Sequence, residues 1–510
     1  MAFKPETPNR VKSLKGKEGR LAPALEAKPS PAKPASAAKP YAPSQIFDSI
    51  TAAQAEGRLN LRIASILEKA VFVSLLLLII LAVIPYGTSE PWWKAVFICA
   101  VFALVAVALI EGLLSGSTPF NGLPVLLPLL ALVAFSFLQT IPLSSAAPSG
   151  ISTNAWTAIS ADPNETRFVA FQLLALTLSA ALLFRYASNQ TRLRVVINVI
   201  IAVAVASAIF GLLRQTMQHS DSFLLPLKAD QGYGQFINKN HFAYLMEMGF
   251  GLALGMIVGG VVKRERTLIY FAALLCIWMA LVLSNSRGGL LAMMAQLVGG
   301  AVLFNFAVPA ATADHRTLKL LRITRLLPVR IILLVLLLVG VIVGTLWMGG
   351  DRLASRLDET PTGRHPSAVS RNEIWAATWK LFKTHPIAGA GIGGYWIAIP
   401  LHHQASGTMV PQEAHNDYLE LLASGGVIGA ALGVWFFVMF CKRARRNLLS
   451  LNSFRRATCF AALLGIAGVA VHSLFDFGLH KIGNALIFMA LIVIATTDNN
   501  YRTAYASQHS

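Results

Sequence analysis

Long apolar runs separated by short polar connections dominate this chain. Runs of about 17–22 residues recur twelve times, and each is long enough to cross a hydrocarbon core of roughly 30 Å as a helix. The sequence therefore predicts an all-α polytopic membrane protein with about 12 transmembrane helices. The predicted spans lie near residues 68–85, 95–113, 122–141, 167–185, 195–213, 241–262, 268–284, 288–308, 330–348, 421–441, 457–475 and 483–497.

The polar segments divide the chain into further parts. Residues 1–60 are rich in Lys, Pro and Ala and cannot bury a core, so they are predicted to be a disordered basic cytoplasmic tail near anionic lipids. Residues 61–348 hold the first nine spans, and residues 349–420 form a large polar loop. Residues 421–497 hold the last three spans, and 498–510 form a short cytoplasmic tail.

The net charge of +19 comes mainly from basic residues in loops on one side of the predicted membrane. This placement indicates the orientation of the chain in the membrane rather than nucleic acid binding. Seventeen basic residues fall on one side of the predicted membrane, and five fall in the short loops on the other side. The long polar loop is left out of this comparison, because loops of more than about 60 residues do not follow the positive-inside rule. The asymmetry predicts that both termini are cytoplasmic and that the 349–420 loop lies outside. The seventeen are Arg185, Arg192, Arg194, Lys263, Arg264, Arg266, Arg316, Lys319, Arg322, Arg325, Arg330, Lys442, Arg443, Arg445, Arg446, Arg455 and Arg456.

Two arginines stand in polar contexts on the outer side. Arg287 lies in a Ser-Asn-Ser-Arg-Gly-Gly turn between the seventh and eighth spans, and its planar guanidinium fork would suit a phosphate. Ser370 and Glu373 have capping-box spacing, which predicts a helix starting at Arg371 whose N-terminus would suit an anion. The alternatives are a snorkelling arginine and an interfacial helix without a ligand.

A third group surrounds His415, where the loop enters the tenth span beside Asp417 and Glu420. An imidazole there can exchange a proton near neutral pH, which favours a general base. His402 and His403 leave a metal site as an alternative, although an adjacent His–His pair is poor geometry for one ion.

Residues 389–394 match GxGxxG by letter, but no strand precedes them, so we predict a flexible turn outside the membrane rather than a dinucleotide site.

These residues resemble a known family. His415-Asn416 followed after nine residues by Gly-x-x-Gly is similar to the periplasmic-loop signature of bacterial O-antigen ligases and their polymerase relatives. Supporting segments are SxSRGGLLA at 284–292, RxxxW at 371–375, HPxxGxGxGxY at 385–395, and the stretches 234–243 and 472–477. The resemblance covers roughly residues 165–495.

The resemblance implies a fold similar to the lipid-dependent (GT-C-like) glycosyltransferases, with a periplasmic loop over a lateral cleft in the bacterial inner membrane. It implies metal-independent, inverting transfer of a glycan from undecaprenyl diphosphate to a sugar hydroxyl of lipid A-core, without a cofactor. His415 would be the base, and Arg287 and Arg371 would bind the diphosphate. Arg214, at the outer end of the fifth span, is a third phosphate candidate.

Other functions stay open on the sequence. A polymerase that joins lipid-linked repeats shares these features, and a protein O-oligosaccharyltransferase is a further alternative. A transporter would place ionisable residues at midplane on broken helices within an internal repeat. Here the candidate charged groups cluster at the outer face, which favours the glycosyltransferase.

Overall fold

The computed structural model describes residues 43–117, 122–142, 156–216, 232–307, 371–403 and 411–498, with the single positions 120, 335 and 339. The chain divides into two units, Met1–Gly57 and Arg58–Ser510. The described part of the first unit is the beginning of a helix that starts at Pro43, within the range predicted to be a disordered tail. Residues 1–42 of that predicted tail lie outside the described residues.

Thirteen α-helices make up the described chain, and no β-strand occurs in it. This confirms the predicted all-α fold. The helices are α1 (Pro43–Val83), α2 (Pro91–Ser115), α3 (Leu123–Leu138), α4 (Pro163–Tyr186), α5 (Gln190–Thr216), α6 (Lys239–Val258), α7 (Thr267–Leu283), α8 (Arg287–Ala307), α9 (Arg371–Thr384), α10 (Tyr395–Ala398), α11 (Asp417–Leu448), α12 (Ser453–His472) and α13 (Ile482–Thr496).

Eight helices within the described ranges are long and apolar enough to cross a membrane, and α3 and α13 are shorter apolar helices. The protein is therefore a multi-pass membrane protein, as predicted. Eleven of the twelve predicted spans coincide with a helix. The ninth, 330–348, lies outside the described residues except for two positions. The eight are Gly57–Val83, Pro91–Ser115, Pro163–Tyr186, Gln190–Thr216, Lys239–Val258, Arg264–Leu283, Asp417–Leu448 and Ser453–His472.

Helix α6 lies in the core of the bundle, packed closely against α12. Its side chains are buried almost without interruption. The two backbones meet at small residues: a Cβ on Gly255 would lie 2.2 Å from the Cα of Ala461, and one on Gly251 would lie 2.4 Å from the amide nitrogen of Gly465. Small residues at such crossings let membrane helices approach closely. This contact fixes the first turn of α6 beside the last turn of α12.

The two ends of the bundle differ in their charges. At one end, which we call the basic end, Arg185 pairs with Glu111, and Arg192 Nη1 lies 2.9 Å from Glu68 Oε1. The last turn of α7 and the first turns of α6, α8 and α11 meet the end of α12 at the opposite end, which we call the site end. The predicted site residues His415, Arg287 and Arg371 all belong to elements of the site end.

Candidate functional site

The cluster at the site end is organised around Asp476, in the connection between α12 and α13. Its side chain is 1% exposed. The Oδ1 atom lies 3.6 Å from Nδ1 of His415 and 3.9 Å from Nε2 of His241. The Oδ2 atom accepts a hydrogen bond from Nδ2 of Asn240 and lies 3.7 Å from Nη2 of Arg371. One buried carboxylate thus joins α6, α9 and the segment before α11.

Asp476 is held in its ionised form by these neighbours. Burial alone would raise its pKa, but the contact with His415, the nearby His241 and the backbone N–H of Phe477 lower it. The net result is a pKa below that of an ordinary carboxyl group. Asp476 therefore presents a negative charge to the two histidines at neutral pH, because the charge contacts outweigh desolvation.

His415 occupies a backbone conformation that few residues other than glycine adopt. Its φ is +51°, in the left-handed region. Asn416, the next residue, is the N-cap of α11, and its side chain accepts hydrogen bonds from the amides of Tyr418 and Leu419. In the His-Asn pair, Asn416 thus caps α11, and the backbone turns sharply at His415 just before the cap. The ring of His415 lies edge-on to Phe477 at 4.8 Å and remains 31% exposed.

Asp417 and Glu420, which the sequence places next to His415, contact a different histidine. Nε2 of His480 lies 3.5 Å from Oδ1 of Asp417 and 3.7 Å from Oε1 of Glu420. Glu420 also accepts a hydrogen bond from the amide of Ala414 at 2.7 Å. The carboxylate that contacts His415 is therefore Asp476, and the two carboxylates next to His415 in the sequence contact His480.

Arg287 lies one residue from this network, at the start of α8. Ser286 donates a hydrogen bond to Oδ1 of Asn240 at 2.9 Å and accepts one from the amide of Gly289 at 3.1 Å. Arg287 itself is exposed, and no side chain of the described residues forms a hydrogen bond or ion pair with it. Its guanidinium is therefore available on the surface beside the cluster.

The neighbouring glycine serves packing within the protein. A Cβ on Gly288 would lie 2.4 Å from Nε2 of His472, so the imidazole ring fills the space that a side chain would need. His472 in turn bonds Glu247 at 2.6 Å and stacks on Tyr244 at 4.2 Å. On that face of Gly288 the space is thus occupied by a buried histidine.

Arg371 is the first described residue of α9, and Ser370, the predicted cap, lies outside the described residues. Its side chain is 47% exposed while it contacts Asp476. Helix α9 is tied to the His415 segment because Nε1 of Trp375 donates a hydrogen bond to the carbonyl of Ala414 at 3.1 Å. Its apolar face, including Ile374 and Leu381, is buried.

Arg214 is placed differently from the other predicted phosphate ligands. Its side chain is buried, and Nη1 donates a hydrogen bond to the carbonyl of Gly234 at 2.5 Å. Gly234 belongs to the turn that leads into α6 and its Asn240.

The glycine-rich segment after α9 docks on a break in α11. Gly426 interrupts that helix with φ +61° and ψ −160°. Backbone hydrogen bonds between the loop and α11 fill the interruption: the amide of Val427 in α11 donates to the carbonyl of Pro386 at 2.8 Å, and the amide of Gly391 in the loop donates to the carbonyl of Ser424 at 2.9 Å. The GxGxxG letters thus belong to a segment that follows a helix and packs on another helix. The prediction of a flexible turn was wrong, because backbone hydrogen bonds hold this segment against α11.

Asp476, Asn240 and His241 carry the geometry of this cluster, yet sequence reasoning assigned them no role. They stood within the segments 472–477 and 234–243, which were quoted only for the resemblance. The signal that could have identified Asp476 is a lone carboxylate at the end of an apolar span, next to aromatic residues. Its partners lie too far away in the chain for spacing to reveal.

The fold and the cluster together define a class: a multi-pass α-helical membrane protein with a histidine–carboxylate–arginine site at one end of its bundle. Residues 271–434 match the model of the family described as O-antigen ligase, which confirms the resemblance to an O-antigen ligase-related family. The match supports an enzyme of the O-antigen ligase or polymerase type in general. It includes Arg287, Arg371 and His415, while Arg214 and Asp476 lie outside it. No curated protein matches the chain significantly.

Proposed function

We propose that this protein is an O-antigen ligase that transfers a glycan from undecaprenyl diphosphate to a sugar hydroxyl of lipid A-core. The observation that carries the proposal is the contact of His415 with Asp476, at an end of the bundle that also holds Arg287 and Arg371. The family match over residues 271–434 supports the class of reaction. A polymerase, which uses the same donor, is the second candidate, and the lipopolysaccharide experiment below distinguishes it from a ligase.

His415 acts as the general base on the acceptor hydroxyl. Because Nδ1 faces the ionised Asp476, the proton of the neutral imidazole belongs on Nδ1 and the lone pair on Nε2. Nε2 takes the hydroxyl proton while the acceptor oxygen attacks the anomeric carbon, and Asp476 stabilises the imidazolium that forms. The 3.6 Å separation is longer than a hydrogen bond, and such catalytic contacts often tighten when substrate is bound.

The arginines stabilise the leaving diphosphate. As the bond between the anomeric carbon and the diphosphate oxygen breaks, negative charge collects on undecaprenyl diphosphate, and preorganised guanidinium groups lower the energy of that state. Arg287 is exposed and has no side-chain partner among the described residues, which suits it for this role. Arg371 contacts the buried Asp476 and is also half exposed, so it can reach the diphosphate at the surface while it stays next to the base. Arg214 contributes by fixing the turn before α6.

The site end faces the periplasm in this proposal, and both termini are cytoplasmic. The argument is the concentration of arginine and lysine at the basic end, which the positive-inside rule assigns to the cytoplasmic side of the inner membrane.

Transfer in a single displacement inverts the anomeric configuration. No metal is needed, because the guanidinium groups neutralise the diphosphate.

Lipopolysaccharide from a deletion strain, complemented with the wild-type gene or with the His415→Ala variant, tests the proposal. We expect the deletion to strand long O-chains on the lipid carrier and to leave the core bare, with rescue by wild type only. Core that carries a single repeat would identify a polymerase instead. Unchanged lipopolysaccharide would contradict both assignments and indicate another exported glycan.

A further inference from the structure

A groove of about 730 Å³ lies between α5 and α7, on the outside of the bundle and away from Asp476. The α5 wall is formed by residues at helical spacing, Asn198, Ala202, Ala206 and Ile209. Ala202 and Ala206 are exposed, and their small side chains create the depression. The groove therefore faces the lipid and is a property of the surface, separate from the candidate active site.

Its polar groups are confined to one end. Arg266 immediately precedes α7 and is exposed. Close by, the hydroxyl of Tyr270 donates a hydrogen bond to Oδ1 of Asn198 at 2.6 Å. The remainder of the lining is apolar and extends to Cys276 in the middle of α7. An arginine and a tyrosine at the mouth of an apolar groove match the headgroup level of a bilayer.

The length of the groove selects its occupant. The twelve residues from Asn198 to Ile209 are separated by eleven steps of about 1.5 Å, a rise of about 16 Å along α5. That is about half of a hydrocarbon core of roughly 30 Å, so the groove reaches the midplane and stops. A helix from another subunit would cross the whole core. An acyl chain of one leaflet matches both the length and the apolar lining.

We propose that this groove binds an anionic phospholipid of the leaflet at the basic end, with its phosphate on Arg266 and an acyl chain along Ala202 and Ala206. Guanidinium is the side chain best suited to phosphate, and basic pockets between membrane helices bind anionic headgroups. The His415 cluster lies at the opposite end, so the lipid is distinct from any substrate there. The inference does not rest on the proposed function.

Native mass spectrometry of the purified full-length protein in detergent tests the headgroup contact. Phosphatidylglycerol is titrated against wild type, Arg266→Ala and the matched control Arg264→Ala, a neighbouring arginine that does not line the groove. We expect about tenfold weaker binding for Arg266→Ala alone, equivalent to about 1.4 kcal/mol. Equal loss in both variants, equal binding of phosphatidylethanolamine, or displacement of the lipid by inorganic phosphate would overturn the proposal.

A second pair of variants tests the acyl-chain contact. Ala206→Trp fills the groove, whereas Ala103→Trp places the same side chain on an exposed position of α2. We expect the first to abolish specific phosphatidylglycerol binding and the second to preserve it, with the same elution profile for both proteins. Undiminished binding in Ala206→Trp would overturn the proposal, and if that variant does not fold, the comparison of Arg266→Ala with Arg264→Ala still decides it.

Discussion

The Nδ1 atom of His415 lies 3.6 Å from Oδ1 of Asp476, although the two residues belong to different connections of the bundle. His415 precedes α11, and Asp476 follows α12. The two connections are joined directly, because the amide of Asp417 donates a hydrogen bond to the carbonyl of Ser473 at 3.0 Å. The pair is thus set by backbone contacts as well as by charge, and it makes Asp476 a positioning residue for the proposed base.

Asp476→Asn is predicted to lower transfer by about 10²-fold, part of the full contribution of a positioned acid–base group. The amide keeps the shape but loses the negative charge that stabilises the imidazolium formed during transfer. Asp476→Glu, which keeps the carboxylate, should therefore retain more activity than Asp476→Asn. A purely structural role would be disturbed at least as much by the longer glutamate as by the amide of the same size. Asp162→Asn is a matched control, because asparagine can still cap α4.

The lowered pKa of Asp476 also predicts how the variant's stability depends on pH. A carboxylate whose pKa falls on folding stabilises the protein above its ordinary pKa of about 3.9 and loses that contribution as pH falls through the folded value. Asp476→Asn should therefore be less stable than wild type at pH 7, and the difference should shrink in acid. Thermal unfolding of both proteins in detergent, at pH 7 and in acid, measures this difference in stability. A difference that grows in acid would contradict an ionised Asp476.

His415→Ala should preserve folding and donor binding while transfer falls by about 10²- to 10⁴-fold. The residue is partly exposed, and alanine removes no buried anchor. The left-handed backbone at this position makes His415→Gly the better-tolerated companion variant. Both should be equally inactive in a transfer assay with lipid-linked donor, and wild-type transfer should survive EDTA. An active alanine variant, or chelator-sensitive transfer, would count against His415 as a metal-independent base.

Arg287→Lys and Arg371→Lys should each lower transfer by roughly tenfold or more, with about 1.4 kcal/mol for each decade. Lysine keeps the charge but loses the bidentate fork. Arg167→Lys is the control, since Arg167 is exposed at the same end and contacts Thr140 rather than the cluster. Full activity of both site variants, at saturating and at limiting donor, would mean that the two arginines only anchor their helices.

The spans could be predicted, and candidate site residues could be selected, because their signals are local. An apolar run of sufficient length is visible without any knowledge of its neighbours, and the capping-box spacing of Ser370 and Glu373 predicted a helix in the segment that α9 occupies. His415 could be selected in the same way, from its place where a polar loop meets a span. These are properties of adjacent residues.

The partner of His415 could not be predicted in that way. Asp417 and Glu420 are its neighbours in sequence, but His415 adopts a left-handed conformation before the cap of α11, and its ring contacts Phe477 and Asp476 instead. A single positive φ thus changed which carboxylate meets the imidazole. Asp476 is recognisable only once α12 is packed against α6, which is a tertiary event without a local signature.

The orientation of the bundle gives a prediction that is independent of chemistry. A reporter fused near residue 450 or 320 should read cytoplasmic, and one near residue 405 should read periplasmic, because the basic end holds most of the arginine and lysine. Paired alkaline phosphatase and fluorescent-protein fusions measure both states. A cytoplasmic result near residue 405 would place His415 out of reach of a periplasmic donor and remove the proposed function with it.

The two glycines of the Gly-x-x-Gly motif should differ in their tolerance of alanine. Gly426 has φ +61°, and a Cβ there would lie 2.3 Å from the carbonyl oxygen of Ile387. Gly426→Ala should therefore destabilise the protein by about 1 kcal/mol or more, since both the backbone and the docked loop must shift. Gly429 is helical, and its nearest neighbour, the carbonyl oxygen of Leu421, lies at an ordinary 3.6 Å.

Gly429→Ala is thus the internal control and should leave stability unchanged or slightly increased, because alanine favours a helix over glycine by up to about 1 kcal/mol. Thermal unfolding of the two variants in the same detergent compares them directly. The loss in Gly426→Ala should extend to transfer, since the break in α11 receives the loop that follows α9, and α9 carries Arg371. Equal stability of the two variants would show that the break in α11 is not required, and that the motif serves some purpose other than the docking of this loop.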